Sequence, residues 1–225
     1  MDFLKVSYTG RIKDGPVVDT TDEKTAKDNK IFDEKRIYKP VPVAVGGGHM
    51  LEGLDDALKG MKPGDKKKVT VQPEKGYGQK NPELVRLVPL KHFKQQKITP
   101  IPGMPIEIDG RTARIQTVAG GRVRVDFNNE LAGKTLEYEI KVEEKAKNDS
   151  EKIRYLLERA FGKADGFDVK ATEKPKKVEI TLPDSAYKDR NILLRKASLA
   201  ADIFKLVDYP KVKFSEVWEK PEKSR

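Results

Sequence analysis

The chain has 225 residues, room for two or three domains, with 36% hydrophobic residues, 36% charged residues and a formal net charge of +10. It has no cysteine, which excludes a disulfide scaffold, thiolate catalysis and cysteine zinc sites; its two histidines, His49 and His92, exclude a histidine-rich metal centre. No run approaches the ~20 apolar residues of a membrane span and no signal-peptide core is seen, so a cytoplasmic location without a membrane partner is expected. The basic excess is spread along the chain, and its densest run, Lys66-Lys67-Lys68, opens a predicted strand. It reads as a solvated surface rather than a nucleic-acid site.

In chain order, Phe3, Leu4, Val6 and Tyr8 form a strand, Asp14-Gly15 a turn, and Pro16 to Asp19 the return of a hairpin. Residues 22–39 are charged and rich in breakers and read as a surface loop. Val41, Val43 and Val45 alternate through a strand that Pro40 and Pro42 place at a sheet edge. Gly46-Gly47-Gly48 ends it, and Met50, Leu51, Leu54, Ala57 and Leu58 then recur at helical spacing up to Gly60. Lys67 to Gln72 is a strand and Pro73 to Gly78 a loop. From about 79 to 130 the texture changes to a small all-β unit: Leu84–Val88, one helical turn over 89–96, a hairpin about Asp109-Gly110 and another about Ala119-Gly120-Gly121. Residues 134–142 alternate as a strand. Beyond the linker 143–150, with Asp149 or Ser150 as N-cap, come a helix marked by Ile153, Leu156, Leu157 and Ala160, a strand at 178–182, an apolar helix at 192–207 and a last strand at 211–217.

There is no Walker loop, no dinucleotide fingerprint, no Ser-His-Asp set and no carboxylate pair with a partner histidine. Gly46-Gly47-Gly48 lacks the Lys-Ser/Thr of a phosphate loop and reads as a strand-to-helix turn. By residue type alone, Val18, Val41, Met50, Leu51 and Leu54 are ordinary core residues, Tyr8, Tyr77 and Tyr138 packed aromatics, and Asp19 a turn cap.

Order changes that reading. Val-Ser-Tyr-Thr-Gly (6–10), Asp-Gly-x-x-x-Asp-Thr-Thr (14–21), His-Met-Leu-Glu-Gly-Leu (49–54), Gly-Met-Lys-Pro-Gly-Asp (60–65) and Gly-Tyr-Gly (76–78) follow one another. In these segments the chain resembles the FKBP family of prolyl isomerases, and the likeness resumes at Leu131 to Ile140, similar to that family's closing strand. Some fifty residues separate the two blocks, too many for an unstructured connection. This is similar to SlyD-like members, whose flap carries an inserted domain that binds unfolded chains. The last 75 residues resemble, in length and layout, the extension of long archaeal members. The resemblance implies an α+β fold in three parts. Residues 1–82 with 131–148 are an antiparallel half-barrel wrapped on one helix, 83–130 an all-β insert, and 149–225 an α+β domain.

Carried over by motif, the resemblance implies Tyr8, Asp19 and Tyr77 as the catalytic set: Tyr77 anchors a substrate carbonyl, and Asp19 with Tyr8 supplies a fixed polar edge. Val18, Val41, Met50, Leu51, Leu54 and Tyr138 form the substrate cradle. Drug-binding members have tryptophan where Leu54 stands and aromatics at Val18 and Val41, so tight macrolide binding is not expected. No cofactor or metal is implied; the nickel-binding tail of SlyD has no counterpart here. Clients are unfolded or nascent polypeptides with X-Pro bonds, held by apolar residues of the insert left exposed among Leu84, Phe93, Ile98, Ile101, Met104 and Ile106. The apolar helix at 192–207 carries more than one apolar face, which points to a homodimer through the tail. Two other readings stay open: a holdase with a vestigial pocket, and a basic ribosome- or RNA-associated adaptor.

Overall fold

The computed structural model describes residues 1–218. Its strands are β1 (Phe3–Ile12), β2 (Val17–Thr20), β3 (Val41–Ala44), β4 (Lys66–Val71), β5 (Val85–Pro89), β6 (Pro105–Ile108), β7 (Arg111–Ala119), β8 (Arg122–Asp126), β9 (Leu136–Lys145), β10 (Asp168–Glu173), β11 (Lys176–Thr181) and β12 (Val212–Ser215). Its helices are α1 (Glu23–Asp28), α2 (Glu52–Leu58), α3 (Leu90–Gln95), α4 (Asp149–Phe161), α5 (Asp184–Tyr187) and α6 (Ile192–Leu206). The chain divides into two compact units: residues 1–71 together with the chain from Glu137 onward, and Gln72–Leu136.

The first unit is built on an open sheet of order β2-β1-β9-β4, in which β3 also pairs with β1. The ten-residue β1 is long enough to hold two antiparallel partners end to end. Phe3 to Val6 pair with Ala44 back to Val41, and Thr9 and Gly10 pair with Thr20 and Asp19. A register shift at Gly10/Arg11 bends the strand as it enters the hairpin. Helix α2 packs against β4, burying Leu54, Ala57 and Leu58, while Val71, Ile140 and Val142 are buried on the sheet. The sheet is open, so the architecture is α+β with antiparallel pairing and no closed barrel.

Residues 22–39 are not a plain loop, as their composition predicts. Asp22 Oδ1 accepts from Thr25 N at 2.7 Å, capping the short helix α1, and Ala26 on it is fully buried. One small apolar residue among charges leaves no periodicity to read.

The tail has its own sheet, β10-β11-β12, antiparallel then parallel, with α6 returning the chain between β11 and β12. Helix α4 begins at Asn148, one residue ahead of the predicted cap; Asn148 Oδ1 accepts from Glu151 N at 2.9 Å, and Gly162 closes the helix in the left-handed conformation. Helix α4 packs on β3 and β1, and the tail core of Ile153, Leu157, Ile180, Leu199 and Ile203 takes in Phe3 and Ala44 from those strands. Ion pairs rim the contact, to Glu158 of α4 from Lys39 at 2.6 Å and from Lys5 at 3.4 Å.

In the second unit an antiparallel sheet of order β5-β8-β7-β6 carries α3. Its core is Phe93, Ile106, Ala113, Ile115, Val123 and Val125.

Because Phe3 belongs to a strand of the first sheet yet is buried in the tail core, Phe3→Ala should cost about 3–5 kcal/mol. It should also speed amide exchange in β11 as well as β1. Exchange accelerated in β1 alone would show that the tail folds independently.

Candidate active site

Tyr8 on β1 and Asp19 on β2 are brought together by the hairpin register that sets Gly10 opposite Asp19. Tyr8 Oη donates to Asp19 Oδ2 at 2.9 Å. The other oxygen, Oδ1, accepts from Arg36 Nη1 at 2.6 Å, and Arg36 Nη2 reaches Tyr8 Oη at 3.4 Å. Burial, then the charge of Asp19 and the hydrogen bond to it, push the Tyr8 hydroxyl well above its ordinary range, so it stays a neutral donor. Burial works against the Arg36 charge, but its bond to Asp19 and the charge there outweigh that and hold its pKa up. The result is a closed polar triangle in which both Asp19 oxygens, the Tyr8 hydroxyl and both Arg36 Nη atoms are engaged.

Tyr138 on β9 meets Tyr8 edge to face, with ring centroids 6.0 Å apart at 62°. Its ring lies over Gly10, where a Cβ would come within 2.3 Å of Tyr138 Cε1, so only glycine leaves the ring this place. Val18 on β2, Val41 opening β3, and Met50 and Leu51 after the glycine turn are half-buried; Leu54 on α2 is buried. The Leu51 carbonyl accepts from Leu54 N and Asp55 N at 2.9 and 3.0 Å, so the turn that carries Met50 and Leu51 is locked to the start of α2. Behind it, His49 Nδ1 accepts from Ala44 N at 3.0 Å, and Arg159 of α4 donates to the His49 carbonyl at 3.4 Å. Tyr77 lies in the second unit, after a 3-10 turn at Pro73–Lys75 that Gly78 N closes onto Pro73 O at 2.7 Å. A groove of about 500 Å³ in the first unit takes in Tyr8 alone of the predicted residues; Ser7, Thr9, Lys68, Glu139 and Lys141 also line it.

Sequence reasoning missed Arg36. It sits in a stretch of charges and breakers, and nothing in its spacing marks it; only the folded segment that follows α1 brings it back to Asp19. The apolar set of the insert needs correction. Phe93 and Ile106 are buried core residues, and Ile98 and Met104 pack against that core, because so small a sheet needs them to cover it. Leu84 is half-buried at the end of a 3-10 turn, and Ile101 is exposed.

Two family models match, FKBP26, IF domain over residues 86–131 and FKBP26_C-terminal over residues 149–219. A short-type peptidyl-prolyl cis-trans isomerase of Methanocaldococcus jannaschii is 41% identical over 150 residues, covering 67% of this chain and 95% of that protein. SlyD, an FKBP-type peptidyl-prolyl cis-trans isomerase of Haemophilus influenzae, is 29% identical over 145 residues, 59% of this chain and 71% of that one. The FKBP-type 16 kDa peptidyl-prolyl cis-trans isomerase of Escherichia coli (strain K12) is 29% identical over 141 residues, 61% and 86%. With ordered motifs, open sheet and these matches together, the chain belongs to the FKBP-type peptidyl-prolyl cis-trans isomerases, of the long SlyD-like kind with a domain inserted in the flap.

Burial, followed by the charge of Arg159, holds His49 below its ordinary value of 6.5. The unfolded chain therefore takes up a proton first, and stability falls as pH drops below about 6.5. His49→Asn keeps an acceptor for Ala44 N without the titration. Urea unfolding at pH 7.5 and about 5.5 should show a loss in the parent that the variant lacks; equal losses would put the acid sensitivity elsewhere.

Proposed function

We infer that the chain isomerises X-Pro bonds of unfolded or nascent polypeptides in the cradle of its first part and holds those clients on its inserted domain. The division of labour follows residues 1–82 with 131–148 for isomerisation, 83–130 for holding and 149–225 for assembly. The observation that carries the reading is the Tyr8–Asp19–Arg36 triangle, a fixed polar edge in a unit whose other assigned cradle residues are aliphatic or aromatic.

The chemistry suits such a site. Rotation about X-Pro crosses a barrier of roughly 20 kcal/mol because amide resonance must be lost. Resonance puts charge on oxygen, and water favours that polar form; a dry aliphatic surface formed by Val18, Val41, Met50, Leu51 and Leu54 withdraws the support and favours the twisted amide. Each ~1.4 kcal/mol gained is tenfold in rate. No proton moves in this step, which agrees with a Tyr8 hydroxyl pushed up out of any titrating range. Asp19, pinned on both oxygens, orients rather than accepts. Tyr77, by its Gly-Tyr-Gly motif, anchors a substrate carbonyl. No helix among the described residues is long and apolar enough to cross a membrane.

The tail pairs two copies. Helix α6 buries Leu199, Ile203 and Leu206 on its own core but leaves Leu193 77%, Leu194 70% and Phe204 48% exposed. Leu193, Ala197, Ala200 and Phe204 follow at steps of four, three and four, the spacing of a helix seam. Pairing there joins two isomerase–insert arms on one client and raises the effective concentration of sites.

Asp19→Ala and Tyr77→Phe should each slow isomerisation of a short X-Pro peptide by about tenfold or more while circular dichroism stays unchanged; full activity in both refutes the assignment. Light scattering at tens of micromolar, roughly the concentration at which a weak dimer forms, should give a dimer for the parent and a monomer for Leu193→Glu with Phe204→Glu. A monomeric parent removes the pairing and leaves the isomerase reading intact.

A further inference from the structure

The insert contains a groove of about 500 Å³ whose apolar floor is Val88, Ile98, Ile106, Ile108 and Phe127. It lies on the face of the sheet that carries the core. Register places Arg86 opposite Val125, Val88 opposite Val123 and Ile108 opposite Arg111, while Phe127 continues the alternation of Val123 and Val125. Helix α3 contributes the buried Phe93 to this face, and the strand ends beyond it stay open.

At that open end two guanidinium groups, Arg86 and Arg111, lie over the ring of Phe127, at 5.6 and 5.3 Å from its centroid. Neither has an ion-pair partner among the described residues, although Glu107 and Asp109 also line the groove. The contrast with nearby charges is sharp: Arg114 is tied to Glu130, and Asp126 is held by Lys80, Gln116 and Asn128. Contact with the ring face holds the two arginines there, and neither makes a hydrogen bond to another side chain or carbonyl among the described residues, which leaves their N–H groups for a ligand. Over residues 85–127 the chain has eight Lys or Arg against three Asp or Glu, and Asp126 is among the three.

We propose that this groove takes an apolar side chain of an extended client segment whose neighbouring residue is a carboxylate, so that the insert selects acidic-apolar segments over basic ones. The proposal rests on the reading of the insert as a client-holding domain and names its substrate class. The apolar residue covers the Ile106, Ile108 and Phe127 floor, and the carboxylate accepts from Arg86 and Arg111 beside it. A basic neighbour meets the same two cations and is repelled.

The test uses the full chain and three fluorescent, proline-free peptides with one Leu-Phe-Leu centre flanked by Glu, Gln or Lys. Anisotropy should rank Glu above Gln above Lys, with about tenfold between the extremes if each of the two charge contacts contributes in the range of a partly exposed pair. The gap should narrow as salt rises. Arg86→Glu with Arg111→Glu should invert the order, and the ranking in the parent stands as a separate test should that variant misfold. Equal affinities for the three peptides overturn the proposal and leave the holding function. No binding of any peptide overturns both. Displacement of the Glu peptide by a single-stranded oligouridine of higher affinity reassigns the groove to nucleic acid and overturns the proposal as well.

Discussion

A strand buried on both faces needs a reason, and β1 has two. Its N-terminal half sends Leu4 and Val6 into one core, while Phe3, pointing the other way, enters the core of the tail. Its C-terminal half carries Tyr8 to Asp19 and leaves Gly10 bare beneath Tyr138. One ten-residue strand thus ties together the sheet, the tail and the polar edge of the cradle. Few one-residue slips could be tolerated, since each would exchange the two faces. Pairing with β3 on one half and β2 on the other fixes the register twice.

The tail also reaches the cradle by a second path. Arg159 of α4 holds the carbonyl of His49, whose ring accepts from Ala44 N, and the next residues are Met50 and Leu51. A cradle that works by excluding water and fixing an amide depends on walls that do not yield. Here the turn that carries Met50 and Leu51 is secured from behind by a helix, and Tyr8, Asp19 and Arg36 hold one another in place.

What the sequence made legible follows from how local each feature is. The turns at Asp14-Gly15, Asp109-Gly110 and Gly120-Gly121 could be read because their residues alone adopt the backbone required; both Asp14 and Asp109 do have positive φ. The α+β class was likewise legible, from the alternation in β9 and the helical spacing of α6. Arg36 was not legible, because its partner is seventeen residues back, on the far side of the short helix α1. Phe3 looked like any strand residue, for no pattern in one strand records that its solvent side will be covered by a helix from 150 residues later. Phe93 and Ile106 are two of several apolar residues in a small unit, and the count of apolar residues could not say which of them the sheet would use as core.

Two exposed apolar surfaces remain, and their chemistry differs in a way that separates their uses. The groove of the insert is lined by Arg86 and Arg111 and also by Glu107 and Asp109, and the edge strands of its sheet carry Pro89 and Pro105, which cannot donate to an added strand. The stripe on α6 has no such guard: Leu193, Leu194, Ala197, Ala201 and Phe204 are all exposed on one helix, with Lys205 the lone cation of its last turn. A protein whose work is to meet sticky chains must keep its own copies from meeting at the same place. In the pairing proposed above, self-association falls to the α6 stripe and client holding to the insert, so the two do not compete for one surface.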